Sequence, residues 1–303
     1  MKKKTSIVVT IGVFDGVHLG HQALVRNTVA LARKLGALPV AVTFLDHPMH
    51  VLKGEARIPF LLPRTETFRL LMQKGIRQVK ALKFTRAFSQ KSPEQFVHWL
   101  GELGDLKGIV VGEDFRFGRG AKGDVDLLKS LGRSSGFEVL AVKRVRMEGQ
   151  VVSSSRIREL LVEGRLEAAN RFLGRPYEIE GEVVHGRHMG HKIGYPTANL
   201  HAVRQFLPRD GVYACAVRLG NRYYRAGMNL GKRPTFKDDQ HHRQAEVHIL
   251  RYYGKLYGRQ MRVYLLKFLR PEKKFKDSNA LVRQIRKDLR EVGSVSLKGL
   301  ARP

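Results

Sequence analysis

"SIVVTIGVFDGVHLGHQALV" spans Ser6–Val25, and its two halves read differently. The β-branched run Ser6–Ile11 ends on Gly12, as a buried strand does. Gly12, Gly16 and Gly20 follow at steps of four, with His18 and His21 among them. Behind them Leu24, Thr28, Leu31 and Leu35 recur at helical spacing, and Gly36 stops the run. "LPVAVTF" (Leu38–Phe44) is a second strand. A strand, a helix and a strand in so short a span form a βαβ unit, which implies a parallel sheet.

The alternation continues. Ser92, Pro93 and Gln95 open a helix with capping-box spacing. "GIVVG" and "FEVLAV" are further buried strands, and "SSSRIRELLVEG" and "RLEAANRFLG" are short helices closed by glycine. After Gly174 the texture changes. "YEIEGEVVHG", "GVYACAVRLG", "NRYYRAGMNL", "QAEVHILRYY" and "QMRVYLLKFL" are short strands separated by turns, which predicts a small antiparallel barrel or sandwich. A last helix, from Ser278 to Val292, puts Leu281, Ile285 and Leu289 on one face and Arg283, Arg286, Lys287 and Arg290 around the rest. The expected division is an α/β domain over 1–176, a β-rich domain over 177–293 and a loose tail over 294–303.

The chain's 303 residues are enough for two cores, and 43% are hydrophobic. No apolar run approaches the roughly 20 residues that span a bilayer. "MKKKTSIVVT" reads as a first strand with a basic lead-in, because no small-residue cleavage site follows it. The single cysteine, Cys215, excludes an internal disulfide and a cysteine zinc cage, and a reducing cytoplasm is the expected location. The net charge of +29 is spread over both halves. It fits small phosphorylated ligands, nucleic acid or a bias with no specific partner.

The turn from a parallel strand into a helix aims backbone N–H groups and a positive dipole end at the sheet's edge, where phosphates bind. His18 and His21 can then point at one phosphate and stabilise charge that builds on its oxygens. Alone, an H-x-x-H pair is more often two surface histidines. A metal site lacks a third ligand nearby in sequence.

With its context, His18-Leu19-Gly20-His21 resembles the signature of the HxGH nucleotidylyltransferases. "GVFDGVHLGHQ" is more narrowly similar to the Rossmann-like N-terminal domain of bacterial bifunctional riboflavin kinase/FAD synthetases. "TFLDHP" (Thr43–Pro48), "VVGEDFRFGRGAKGD" (Val110–Asp124) and "VSSSRIRELL" (Val152–Leu161) resemble further segments of that domain, with Ser155 where threonine is usual. The resemblance implies that Gly12, Phe14, Asp15, Gly16, His18, His21, Asp114, Ser154, Ser155 and Arg158 contact ATP. Of these, His18, His21 and Arg158 would serve adenylyl transfer. Phe115 and Phe117 could flank the flavin ring or lie in the core, and core is expected for one of them. Asp114 could equally cap a turn, and Arg158 could be a solvated helix charge.

In the second half, "GEVVHGRHMGHKIGYPTANL" (Gly181–Leu200) is dense in Gly, His, Lys and Arg, which suggests a loop over an anion. Thr197 and Asn199, two apart, can approach one hard cation if they lie in a strand, or mark a turn. This segment resembles the riboflavin kinase motif ending in PTAN. The resemblance implies that Gly186, Gly190, Gly194, Pro196, Thr197 and Asn199 hold Mg²⁺·ATP, with Thr197 and Asn199 at the metal. Glu246, in "AEVHIL", shares a strand face with His248, opposite Val247 and Ile249. The resemblance makes Glu246 the base for the ribityl hydroxyl, and places Asn229 and Arg270 near the flavin. Two positions depart from the family. His191 stands where arginine is common, with Lys192 beside it, and Arg251 stands where aspartate is frequent. The expected activity is phosphorylation of riboflavin to FMN followed by adenylylation to FAD. The partners expected are ATP, riboflavin and FMN, with no membrane and no specific nucleic acid, and an oligomer remains open. The rivals are a chain with only the adenylyltransferase half active, or a basic nucleic-acid-binding protein on the same fold.

Overall fold

The structure is a computed structural model that describes residues 4–48, 51, 59–185, 194–201, 205–232, 243–298 and 300. It divides into two compact units, Met1–Ser154 and Ser155–Pro303.

In the first unit, β1 (Ser6–Ile11) runs through a 3-10 turn (Asp15–Val17) into α1 (Leu19–Lys34). Then follow β2 (Leu38–Phe44), α2 (Arg64–Gln73), β3 (Gln78–Leu82), α3 (Arg86–Ser89), α4 (Pro93–Glu102), β4 (Asp105–Gly112), α5 (Val125–Ser135) and β5 (Glu138–Val142). A hairpin of β6 (Arg146–Met147) and β7 (Gln150–Val151) comes last. The five-stranded sheet is parallel, in the order β3-β2-β1-β4-β5. β1 sits at its centre because both its faces are apolar. Ile7, Val9 and Ile11 pack with Phe96, Leu100 and Leu128 on one side, and Val8 packs with Leu31 and Ala32 on the other. Full burial of each such side chain contributes about 1.5–3 kcal/mol. The chain leaves β1 in one direction and β4 in the other. The carboxyl ends of these two strands flank the crevice where open α/β sheets bind ligands. The capping box expected at Ser92 and Gln95 is formed.

α6 (Ser154–Glu163) starts on the last residue of the first unit and otherwise belongs to the second, as does α7 (Leu166–Leu173). Then come β8 (Tyr177–Val184), β9 (Ala198–His201), β10 (Gly211–Leu219), β11 (Arg222–Lys232), β12 (Arg243–Ile249), β13 (Gln260–Arg270) and α8 (Ser278–Ser294). The six strands close into an antiparallel barrel in the order β10-β11-β12-β9-β8-β13, so no edge is left unpaired. Alternation sorts the side chains. Ala245, Val247 and Ile249 of β12, with Ala226, Met228 and Leu230 of β11, are buried. Glu246, His248, Gly227 and Asn229, at the alternate positions, take the outer face. α7 packs on the barrel. The Asn170 amide donates to the Leu265 carbonyl at 2.9 Å and accepts the Tyr177 N–H at 2.7 Å. The change from helices to strands thus falls after Leu173, while packing groups α6 and α7 with the strands.

Candidate functional site

In the first unit, the chain leaves β1 through a turn that bends against ordinary backbone preference. Phe14, Gly16 and Val17 have φ of 52°, 79° and 41°. The left-handed region costs a residue with a Cβ about 1–2 kcal/mol, and a β-branched valine is especially unsuited to it. Side chains hold the turn by its carbonyls. Val13 O accepts from the Arg64 guanidinium at 2.9 Å and from the Thr43 hydroxyl at 3.1 Å. Asp15 O accepts from the Ser154 hydroxyl at 2.9 Å, and Val17 O accepts from the Gln22 amide at 3.0 Å. The buried Asp15 carboxylate accepts the Leu61 N–H at 2.7 Å.

The turn delivers His18 to the N-cap of α1, where its Nδ1 accepts the His21 N–H at 3.3 Å. With Nδ1 an acceptor, a neutral His18 carries its proton on Nε2 and can donate from there. The rings of His18 and His21 stack at 3.7 Å and 18°, and Phe14 meets His21 edge-on at 5.3 Å. A Cβ on Gly20 would come within 3.0 Å of the His18 ring, so glycine leaves that ring its room. The His21 pKa falls well below the usual 6.5, first from burial, then from the charges of His18 and Arg64. Its Nδ1 is buried without a hydrogen-bond partner among the described residues.

The other expected residues of this half are placed as follows. Gly12 has room for a Cβ at ordinary contact with Phe14. Asp114 follows β4, is exposed, and binds Arg144 at 2.7 Å. Phe117 lies in the core against Phe96, and Phe115 packs at that core's margin, stacked on Phe117 at 5.6 Å. Ser155 is exposed on α6. Arg158, also on α6, lies over the Phe206 ring at 5.6 Å, while Arg156 pairs with Glu159 and Glu163.

In the second unit, a cavity of about 440 Å³ lies between the outer face of the barrel and α8. Thr197, Asn229, Glu246, His248 and Arg270 line its barrel side, and Leu281, Ile285, Leu289 and Val292 of α8 form the apolar wall. Register brings the polar residues together. Glu246 is paired with Asn229 on one neighbouring strand and with Asn199 on the other. The Asn199 carboxamide oxygen accepts from Gln244, and the Asn229 amide donates to Glu272 at 3.0 Å. His248 Nδ1 lies 2.8 Å from the Pro196 carbonyl, which requires a proton on that nitrogen. The Arg270 guanidinium is gripped by Asp288 of α8, at 2.8 Å from Nη2, and lies over Phe275. A second hollow, of about 280 Å³, adjoins the other side of Pro196 and Thr197 and is lined by Tyr252, Tyr253, Leu256 and Tyr257. Gly194 has φ of 82°, where a side chain would be strained. Gly186, Gly190, His191 and Lys192 lie outside the described residues. Arg251, exposed, has φ of 56°.

Arg64, Gln22 and Gln244 were not singled out in the sequence. The available signal for Arg64 was an arginine directly after Pro63, at a helix start, between Phe60 and Phe68.

Comparison with known proteins matches the FAD synthetase family over residues 1–156 and the riboflavin kinase family over residues 173–295. A Listeria monocytogenes protein named bifunctional riboflavin kinase/FMN adenylyltransferase is 36% identical over 93% of this chain and 90% of its own. Its namesake from Buchnera aphidicola is 34% identical over 95% and 93%. A solved Streptococcus pneumoniae structure described as a macrolide-efflux protein superposes with a TM-score of 0.90 at 33% identity, covering 96% of this chain and 95% of that one. The efflux description belongs to that protein, and among the described residues no helix here is long and apolar enough to cross a membrane. Two family matches on two separately built sites, and relatives alike over nearly their full length, place the chain in the bifunctional riboflavin kinase/FMN adenylyltransferase family.

Proposed function

We propose that the chain performs two ATP-dependent transfers in series, riboflavin to FMN in the barrel unit and FMN to FAD in the α/β unit. Residues 1–176 carry the adenylyl transfer and 177–293 the kinase, in the cytoplasm. The observation that carries this reading is that each family match coincides with its own constellation, the stacked His18–His21 pair in one and the Glu246–Thr197 cavity in the other.

In the barrel unit, Glu246 accepts the proton of the riboflavin 5′-hydroxyl as that oxygen attacks the γ-phosphorus of ATP, and ADP leaves. The apolar α8 wall suits the isoalloxazine ring, and Asn229 offers a polar contact. Arg270 contributes by holding α8 through Asp288. The tyrosine-lined hollow beyond Thr197 suits the nucleotide. The oxygens present fit a magnesium ion that keeps most of its shell for phosphate and water. Thr197 and Asn199 would hold it, with Asn199 exchanging its bond from Gln244. When bound, the ion neutralises charge on the transferring phosphate.

In the α/β unit, a phosphate oxygen of FMN attacks the α-phosphorus of ATP and pyrophosphate leaves. The nucleophile is already an anion, so no strong base is needed. His18 donates from Nε2, and His21 donates as a neutral imidazole, to the oxygens where charge develops. The N-terminus of α1 adds its dipole. Asp114, Ser155 and Arg158 are assigned to ATP by their place in the family motifs.

Supplying riboflavin, ATP and Mg²⁺ and separating the products tests the reading. FAD is expected, with FMN as the intermediate. FMN alone would remove the adenylyl transfer, and unchanged riboflavin would remove the kinase.

A further inference from the structure

We propose that Arg64 is a positioning residue for the histidine pair, clamping the turn after β1 to the end of β2 and so fixing where His18 and His21 present their N–H groups. This rests on the adenylyl transfer proposed above.

The geometry is specific to a guanidinium. One terminal nitrogen donates to Val13 O at 2.9 Å, and the other donates to the Thr43 hydroxyl at 2.6 Å. Val13 immediately precedes the left-handed Phe14, and Thr43 sits near the end of β2. The same Thr43 hydroxyl donates back to Val13 O, so three groups close a small ring across the two strand ends. A lysine can donate to several groups but has no rigid fork to span these two.

Among the described residues the cation makes no ion pair within 4 Å. Its guanidinium carbon lies 4.9 Å from the centre of the Phe60 ring and 5.3 Å from that of Phe68, and its Nε is buried with no hydrogen-bond partner among the described residues. Burial lowers its pKa to about 10, against a raising effect of Asp15. Aromatic faces and the two hydrogen bonds offset part of the desolvation cost, but an apolar side chain would avoid that cost entirely. A charge kept at such a partly buried position is explained by what it does to its neighbours.

Two neighbours respond to it. Mechanically, Arg64 opposes relaxation of Phe14 and Val17 out of the left-handed region, which would swing His18 off the N-cap of α1. Electrostatically, its charge disfavours a proton on His21. The titratable groups facing this centre are His18, which stacks on His21, and Asp15, which faces Arg64. A neutral His21 can remain stacked at 3.7 Å on His18, whereas protonating both rings would drive them apart.

The test uses Arg64→Met and Arg64→Lys in the full chain, with FMN formation from riboflavin as an internal control for folding. Misplacing reacting groups by about 1 Å costs on the order of 100-fold, so Arg64→Met is expected to lower kcat for FAD formation by about that factor. KM for ATP and FMN and the rate of FMN formation should stay within about twofold. The His21 ring, followed by NMR, should titrate at higher pH in Arg64→Met than in wild type. Arg64→Lys keeps the charge and loses the fork, so kcat falls while the His21 titration stays near wild type. Unchanged kcat and titration in both variants would overturn the proposal, as would a parallel fall of both activities with an unmoved titration. If the wild type makes no FAD, the functional reading fails instead, and the His21 titration still judges Arg64.

Discussion

The two units place their polar groups by opposite means. In the barrel, pairing register does the work. Asn199, Glu246 and Asn229 stand abreast on three adjacent strands because regular antiparallel pairing puts them there, and none of them has a left-handed backbone. In the α/β unit, the histidines follow a turn with three left-handed residues in four, whose carbonyls are tied by Arg64, Thr43, Ser154 and Gln22. A site set by register tolerates change outside its strands. A site set by strain depends on each tie.

Single changes should therefore separate the two activities in one chain. The largest expected effect is from Glu246→Gln, which removes the proposed general base and should lower FMN formation by about 10²–10⁴-fold. FAD formation from supplied FMN should remain, and loss of both would mean that the two sites are not independent. His18→Ala removes both a cap and a donor and should lower FAD formation by about 10²–10³-fold. Steady-state assays with riboflavin should show FMN accumulating in its place.

Breaking the clasp between barrel and helix comes next. Asp288→Asn leaves the Arg270 cation poorly matched, and breaking a buried pair costs up to about 3–5 kcal/mol. Chemical denaturation should show the second unit less stable, and kinase activity lost before adenylyl transfer.

Acid should act on the other unit. The His21 pKa is lower folded than unfolded, so the unfolded chain binds the extra proton first. This contribution to stability is complete above about pH 6.5 and is lost as the pH falls below it. Unfolding between pH 7 and 5 should show the first unit weakening, and Arg64→Met should reduce that dependence.

The smallest effect concerns Arg251, which holds φ of 56° on the surface after β12. Glycine adopts this region without the Cβ clash, so Arg251→Gly should raise stability by up to about 1 kcal/mol with both activities unchanged. A fall in kinase rate would instead tie this position to the site.

Much of this was legible because local pattern and tertiary role agree. β1, β2, β4 and β5 are apolar runs, and α8 carries Leu281, Ile285 and Leu289 on the face that meets the cavity. The histidine pair was legible from glycine spacing and the strand before it. β3 was not, because "QVKAL" is an edge strand whose residues are all partly exposed, so its polarity resembles a loop. β9 was ambiguous because four residues beside Pro196 fit a turn as well as a strand. The resemblance placed Arg270 near the flavin, and its grip by Asp288, on another element, is visible only in the fold. Arg64 carries no periodic signal, since its role depends on two strand ends that meet only in the fold.

The outer wall of the barrel unit's cavity is α8, which is encoded downstream of every barrel strand. Domains emerging from the ribosome fold in order. The adenylylating half of a nascent chain can therefore mature while its phosphorylating half still lacks a wall. Until Ser278–Ser294 has emerged, that cavity has no outer wall, so synthesis itself imposes an order opposite to the one proposed for the chemistry.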